Sequence, residues 1–233
     1  MEIEQIRKRL TECGDKGRAE FGKRYLKSPY NLYGNKIPDV RMISKELKKL
    51  DFYSALNLAD ELWNSGNHEE MYLALHILAF NVEVNPIEVW KFMMKRIDKA
   101  NTWDLVDEMS THVLAPILVE RIDLMNEIKK LSESKNPWFR RISVVSNLQL
   151  IKKNKIELTL RLAEKLVYDD DVYVQKGVGW MLREAGKKDR INIREFILRH
   201  IDMKPQAFSY ATEKMIELRK IRKEKKIKKV KIV

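Results

Sequence analysis

The chain has 233 residues, and 44% of them are hydrophobic, so it can bury a continuous core and is not expected to be disordered over most of its length. Eight Gly and six Pro are few, which favours long helices over sheets with frequent tight turns. The net charge of +12 is concentrated at the end, where residues 213–233 hold ten Lys or Arg against three Glu. Such a surplus suits a DNA backbone or an anionic lipid surface and does not distinguish them.

Cysteine and histidine usage argues against a disulfide or a metal site. Cys13 is the only cysteine, so no intramolecular disulfide can form and a reducing, cytoplasmic setting is expected. The four histidines show no paired ligand spacing, and no metal site is predicted. The start, MEIEQIRKRL, is acidic where a signal peptide would be basic, and no apolar stretch approaches the roughly 18 residues that span a bilayer. The protein is therefore expected to be soluble and unexported.

Apolar residues recur at helical spacing along the chain, and no segment indicates a strand. Asn85-Pro86-Ile87-Glu88 and Asn136-Pro137 combine an N-cap residue with Pro at the first helical position. The predicted helices cover residues 15–26, 39–49, 52–64, 68–82, 86–99, 103–119, 121–133, 137–152, 156–168, 171–186, 189–200 and 205–223. The sequence thus predicts an all-α protein.

A repeat of about 35 residues connects these helices. Four apolar residues each close a helix before a polar turn, at separations of 35, 34 and 35: Leu62, Ile97, Leu131 and Leu166. Ten residues after each lies an equivalent point: Tyr72, Asp107, Arg141 and Lys176. Equivalent positions line one face when helix pairs stack. The repeat therefore predicts a curved α-solenoid of stacked antiparallel helix pairs with a concave basic groove.

The stretch NTWDLVD, residues 101–107, has two readings. In the structural one, Thr102 caps the helix, Asp104 complements the helix dipole, Trp103 packs on the preceding loop and Asp107 is solvated. In the functional one, the Trp103 ring and the Asp107 carboxylate share a helix face and stabilise a cation. At an effective dielectric of 20, a carboxylate about 4 Å from the cation would contribute roughly 4 kcal/mol, against about 0.5–2 kcal/mol for the ring.

Two adjacent arginines occur in NPWFRRISVVSNL, residues 136–148. Neighbouring helical positions point about 100° apart, so only one of them can share the repeat-equivalent face of Asp107. By its spacing that one is Arg141, whose guanidinium could bind a phosphate through two donors. Arg140, Lys176 and Lys36 are further candidates for contact with DNA.

Gly177 and Gly179 fall inside a predicted helix, where each costs about 1 kcal/mol relative to Ala. A close approach by another helix, or by a ligand backbone, would explain them. No strand precedes them and no nucleotide-binding glycine pattern is present. Trp180, in the same helix, could be a core residue or part of a site.

NTWDLVD, NPWFRRISVVSNL and YVQKGVGWMLREAGK together resemble the AlkD-type DNA alkylation repair family. The resemblance runs from about residue 15 to 220 and includes RYLKSPYNLYGNKIPDVR. It implies a DNA glycosylase of HEAT-like helical repeats that removes N3- and N7-alkylated purines from duplex DNA, without metal or organic cofactor. It also implies capture of the damaged nucleotide from its backbone side, with no pocket for a flipped base.

The resemblance also assigns site residues. Asp107 would stabilise the sugar cation and position water, Trp103 and Trp180 would pack on the deoxyribose, and Arg141 would hold the DNA backbone. All four are present, as expected of an active member. After Gly34 this chain departs from the family pattern with Asn35-Lys36, where a contact between Lys36 and phosphate is predicted.

The resulting prediction is one glycosylase domain over residues 1–222 and a basic tail over 223–233, whose role is inferred from charge alone. A monomer is expected, located in the cytoplasm and associated with the nucleoid if the source is prokaryotic. The competing hypothesis is a non-catalytic HEAT-repeat scaffold that binds DNA or a protein through the same groove. That scaffold would show salt-sensitive binding without base release.

Overall fold

The computed structural model describes residues 2–230, apart from the side chains of residues 226 and 228–230. Within that part of the chain no strand forms, although an isolated bridge pairs Asn31 with Asn67. The all-α prediction is confirmed. No helix in the described range is long and apolar enough to cross a membrane.

The α-helices are α1 Ile3–Glu12, α2 Lys16–Leu26, α3 Ile37–Leu47, α4 Phe52–Trp63, α5 His68–Asn81, α6 Pro86–Met94, α7 Trp103–Glu108, α8 Ala115–Glu120, α9 Met125–Leu131, α10 Pro137–Val145, α11 Leu148–Lys152, α12 Glu157–Leu166, α13 Val172–Gly186, α14 Arg190–Arg199, α15 Pro205–Ala211 and α16 Glu217–Val230. Short 3₁₀ turns cover Ile97–Lys99 and Ile122–Leu124. A π-helical segment, Met109–Leu114, joins α7 to α8.

The chain divides into two compact units, Met1–Ile117 and Leu118–Val233. The predicted limit at residue 222 falls inside α16. The extent of the functional domain and the separate role of the tail stay predictions, as does the concave basic groove.

In the first unit, α5 is the central helix and packs against α3, α4, α7 and the π-helical segment. It is buried over most of its circumference, and Met71, Leu73, Leu75 and Leu78 are all buried, as expected for an enclosed helix. The Asn67 side chain caps it by accepting hydrogen bonds from the next helical amides. Consecutive helices α4 and α5 form a packed pair of the predicted kind.

In the second unit, α13 is the central helix and packs against α10, α12, α14 and α15. A Cβ at Gly179 would lie 2.5 Å from the carbonyl oxygen of Ala207, and a Cβ at Gly177 would lie 3.4 Å from the Val144 side chain. The predicted close approach of another helix is confirmed at Gly179, which lets α15 pack closer than a side chain would allow. At Gly177 the distance to Val144 is an ordinary van der Waals contact, and the nearest atom is Nη1 of Arg141 at 3.3 Å.

One predicted helix is shorter than expected because a side chain competes for its backbone carbonyls. The predicted starts at residues 86 and 137 are confirmed, with the Asn85 and Asn136 side chains as caps. The helix predicted over 137–152 is interrupted where the Asn147 amide donates to the carbonyls of Ser143 and Val144 at 2.8 and 3.1 Å. Helix α1, which buries Ile6 and Leu10, was not predicted from the sequence.

Candidate functional site

Trp103 and Asp107 lie one turn apart in α7, on the same side of that helix. Both are partly exposed. Thr102 precedes α7 without a side-chain capping bond, so that element of the structural reading is wrong. The helix start is stabilised instead by Asp104, whose carboxylate accepts from the Leu105 amide at 3.0 Å.

An aromatic cluster adjoins Trp103. The Tyr25 ring meets it edge-on, with centroids 6.0 Å apart, and stacks on Phe21 at 5.8 Å. Tyr25 and Phe21 are each 62% exposed. The three rings form an apolar surface open to solvent beside α7, a geometry suited to packing against a sugar or a base. Sequence reasoning missed this cluster, although the four-residue spacing of Phe21 and Tyr25 was a signal for one shared helix face.

A second feature that sequence reasoning missed is a row of polar side chains between α5 and α7, here termed the polar ladder. Its members are His68, Tyr72 and His76 on α5, and Asp104, Glu108 and His112 at the matching positions 36 residues later. His68 Nε2 lies 2.8 Å from Asp104 Oδ2, and the Tyr72 hydroxyl donates to Glu108 Oε2 at 2.8 Å. Oε1 of Glu108 lies 3.3 Å from His76 Nε2 and 3.2 Å from His112 Nδ1.

Burial and contacts within the ladder shift the pKa values of its carboxyl groups. Burial acts to raise the pKa of Glu108, but hydrogen bonds from His112, His76 and Tyr72 outweigh it, and the pKa is held well below the ordinary range. Burial likewise opposes the ionised form of Asp104, and the bond and charge of His68 lower its pKa overall. Burial and the neighbouring Glu108 charge raise the pKa of Tyr72. The carboxyl groups of the ladder are therefore ionised at neutral pH.

A cavity of about 280 Å³ adjoins the ladder in the first unit. Arg41 and Lys45 from α3 line it, together with Ala79 and Phe80 from α5 and the ladder residues Glu108 and His112. Its charged groups are mostly basic.

In the second unit, α10 carries both candidate arginines, and their surroundings differ. Arg140 binds Asp169 through two hydrogen bonds, and its Nη1 also donates to the carbonyls of Ser134 and Lys135. Arg141 is 5% exposed. It donates to the carbonyl of Tyr173.

The other two candidates of this unit, Lys176 and Trp180, lie on α13, which also carries Tyr173 and Gly177. A Cβ at Gly177 would lie 3.3 Å from Nη1 of Arg141, so this glycine leaves the guanidinium its space. Lys176 lies over the Tyr173 ring at 5.7 Å, and that ring packs on Trp138 at 5.0 Å. Trp180, in the third turn of α13, is partly exposed. The roles predicted for Arg140, Arg141, Lys176 and Trp180 stay predictions.

Lys36 is exposed at the N-cap of α3. The loop before it is fixed by the buried Glu69 carboxylate, which accepts from the amides of Gly34 and Asn35 at 2.7 and 3.1 Å. Gly34 has φ of +80°, a conformation that favours glycine. The Asn35 side chain donates to the Leu10 carbonyl. Asn35 thus has a structural contact, while a contact between Lys36 and phosphate stays a prediction.

Among the residues that the structure describes, no group of three or more His, Cys, Asp or Glu is arranged to hold a metal ion.

A solved structure shares the fold of this chain. The chain is similar to a solved structure described as a predicted DNA alkylation repair enzyme from Enterococcus faecalis, with 18% identity and a TM-score of 0.75. The match covers 87% of this chain and 96% of that one. The two proteins share an all-helical fold of packed helix pairs.

The family follows from the sequence. The model of a family described as DNA alkylation repair enzyme matches residues 6–215. The chain therefore belongs to the DNA alkylation repair enzyme family, which gives it a role in the repair of alkylated DNA. No curated protein sequence matches the chain. The resemblance inferred from NTWDLVD and its companion motifs is confirmed.

Proposed function

We propose that this protein is a DNA glycosylase that hydrolyses the N-glycosidic bond of cationic N3- and N7-alkylated purines in duplex DNA. One observation carries the proposal: Asp107 lies one turn after Trp103 on a helix flanked by exposed aromatic rings. Membership of the DNA alkylation repair enzyme family supports the choice of substrate.

The chemistry requires an anion beside the sugar. Alkylation at N7 of guanine or N3 of adenine gives the base a formal positive charge, so it leaves without being protonated. As the bond breaks, charge moves to the deoxyribose, and a fixed carboxylate stabilises that charge more in the transition state than with intact substrate. Asp107 fills this role and positions the attacking water, as carboxylates do in glycoside hydrolysis.

The electrostatic contribution of the Asp107 carboxylate is large enough to account for much of a rate enhancement. A carboxylate about 4 Å from a unit positive charge contributes roughly 4 kcal/mol at an effective dielectric of 20. At about 1.4 kcal/mol per decade, this corresponds to a rate gain of about a thousandfold.

The remaining residues bind the substrate. Trp103 packs on the deoxyribose, and the neighbouring rings of Tyr25 and Phe21 extend its apolar surface. Trp180 is the second tryptophan that contacts the sugar, and Arg141 holds the DNA backbone, with Arg140, Lys176 and Lys36 as further contacts. These roles follow from the family resemblance and from the chemistry of each side chain.

Substrate choice follows from leaving-group chemistry. An enzyme that captures the nucleotide from its backbone side, without a pocket for the base, relies on the positive charge of the lesion. Neutral lesions such as uracil should not be released. Release of uracil at a rate comparable to that of 7-methylguanine would contradict this mechanism.

The deciding experiment compares wild type with Asp107→Asn on a duplex containing 7-methylguanine. Chromatography of the released base gives the single-turnover rate, and fluorescence anisotropy gives duplex affinity. Asp107→Asn should lower the rate by about a thousandfold with a far smaller effect on binding. Glu61→Gln is the matched control, because it removes one exposed carboxylate of the same unit and should leave release unchanged.

The same assay tests the competing scaffold hypothesis. A non-catalytic repeat protein would bind the duplex in a salt-sensitive manner and release no base with wild type. Equal rates for wild type and Asp107→Asn would remove Asp107 from the mechanism.

A further inference from the structure

The polar ladder lies beside Asp107, and the proposed reaction uses none of its members. Glu108 is the next residue after Asp107, so its side chain leaves the same helical turn about 100° away. The orientation of one therefore determines the orientation of the other.

Glu108 fixes the rotation of α7 about its axis. Its side chain is 11% exposed. Three side chains satisfy its carboxylate: Tyr72 and His76 from α5, and His112 from the following turn. A buried carboxylate is costly without such partners. A rotation of α7 would separate Glu108 from both α5 residues, so the ladder opposes it.

His76 links Glu108 to α3. Its Nε2 lies 3.3 Å from Oε1 of Glu108, and its Nδ1 lies 3.2 Å from the Ser44 hydroxyl oxygen. The Ser44 hydroxyl is held in turn by the Arg41 carbonyl at 2.9 Å.

A chain of hydrogen bonds connects Glu108 to the backbone of Asp107. His112 Nδ1 lies 3.2 Å from Glu108 Oε1 and 3.0 Å from Thr111 Oγ1. The Thr111 hydroxyl donates to the Asp107 carbonyl at 2.7 Å. Because that hydroxyl gives its proton to Asp107, its oxygen accepts from His112, whose single Nδ1–H is shared between Thr111 Oγ1 and Glu108 Oε1.

The backbone at this point is unusual. The π-helical segment Met109–Leu114 begins directly after Glu108. Such segments are rare and occur mostly as single turns inside α-helices, often at functional sites. The contacts of Glu108, Thr111 and His112 lie at the first turn of the segment, where they stabilise its irregular geometry.

We propose that Glu108 is a positioning residue for Asp107, acting through His112 and Thr111 to hold the turn from which the Asp107 carboxylate projects. This inference rests on the proposed glycosylase function. A carboxylate that must lie against developing charge on a sugar loses effect when misplaced, and a shift of about 1 Å can cost about a hundredfold in rate. The pair of His68 and Asp104 fixes the same helix one turn earlier.

Glu108→Gln tests the proposal in the full-length protein. The single-turnover rate of 7-methylguanine release at saturating enzyme should fall by about a hundredfold, while duplex affinity stays unchanged. Amide hydrogen exchange should accelerate across residues 109–114. The control is Asp60→Asn, which breaks the 2.8 Å Asp60–Arg96 ion pair of the same unit outside the ladder. It should lower stability without changing the release rate of the folded protein.

Two milder variants keep the test decisive if Glu108→Gln fails to fold. Thr111→Val preserves side-chain shape and removes the link to Asp107, and Tyr72→Phe removes one hydrogen bond to Glu108. Thr111→Val should slow release without weakening binding, and Tyr72→Phe should do so to a smaller extent. Wild-type rates in all folded ladder variants would overturn the inference and leave the proposed function intact. A wild-type protein that binds the duplex but releases no base would overturn both.

Discussion

The guanidinium of Arg140 binds the carboxylate of Asp169 in a bidentate pair, with 2.6 Å from Nε to Oδ2 and 3.0 Å from Nη2 to Oδ1. The Asp169 side chain is 7% exposed. The next residue, Arg141, instead crosses to α13 and donates to the Tyr173 carbonyl. Two adjacent arginines thus join α10 to different parts of the second unit.

Arg140→Gln should mainly lower stability, because it leaves Asp169 buried without its partner. Breaking such a pair costs about 3–5 kcal/mol, measurable by urea unfolding.

Arg141→Gln should weaken duplex binding and reduce the slope of log affinity against log salt by about one unit. A slope unchanged by Arg141→Gln would remove Arg141 from the backbone role. A slope reduced by Arg140→Gln would support the predicted contact between Arg140 and DNA.

The same substitution two residues apart in α13 should have opposite outcomes. Gly179→Ala places a methyl group 2.5 Å from the Ala207 carbonyl oxygen and 2.6 Å from the Tyr210 Cβ, so α15 must move. Such overpacking costs about 1–3 kcal/mol or more. At Gly177 the nearest atom, 3.3 Å away, is Nη1 at the far end of the long Arg141 side chain, so a small side-chain adjustment suffices, and the helix-propensity gain of about 1 kcal/mol offsets the contact. Unfolding curves that rank the two variants the other way would contradict this packing.

The ladder should contribute to acid sensitivity. Burial opposes ionisation of Glu108 and Asp104, but their histidine partners lower both folded-state pKa values below the unfolded values. The stability that these two carboxylates contribute to the folded state is therefore present above their unfolded-state pKa of about 4. It is lost as pH falls through their lowered folded-state pKa values. Glu108→Gln should be less stable than wild type at neutral pH, with the difference shrinking below about pH 4. Urea unfolding at several pH values checks this, and a difference independent of pH would contradict it.

The aromatic cluster beside Trp103 should contribute to base release. Tyr25→Ala removes the ring that contacts Trp103 edge-on and should slow release by up to about tenfold, since such aromatic contacts contribute about 0.5–1.5 kcal/mol. Tyr53→Ala is the matched control, because that tyrosine is 73% exposed on α4 and contacts Phe52 instead. Equal release rates for both variants and wild type would show that the aromatic cluster does not take part in base release.

Features that depend on neighbours within a few turns could be predicted from the sequence. Helical periodicity gave the all-α class, and the Asn85 and Asn136 caps gave two helix starts, because a capping side chain bonds amides two or three residues ahead. Gly179 inside a helical pattern predicted close packing, because glycine costs about 1 kcal/mol relative to Ala in a helix and a close neighbour accounts for its presence. The motifs around Trp103 and Asp107 identified the family.

Which side chains became partners depended on how the helices pack. The ladder joins residues 36 positions apart, and neither the histidines nor Glu108 showed a pattern that predicted their pairing. Arg140 and Arg141 are adjacent in sequence, yet Asp169 and Tyr173 distinguish them only after α10 and α13 pack. A side-chain contact depends on the rotation and separation of two helices. These are set by the whole core and leave no local signature in either helix.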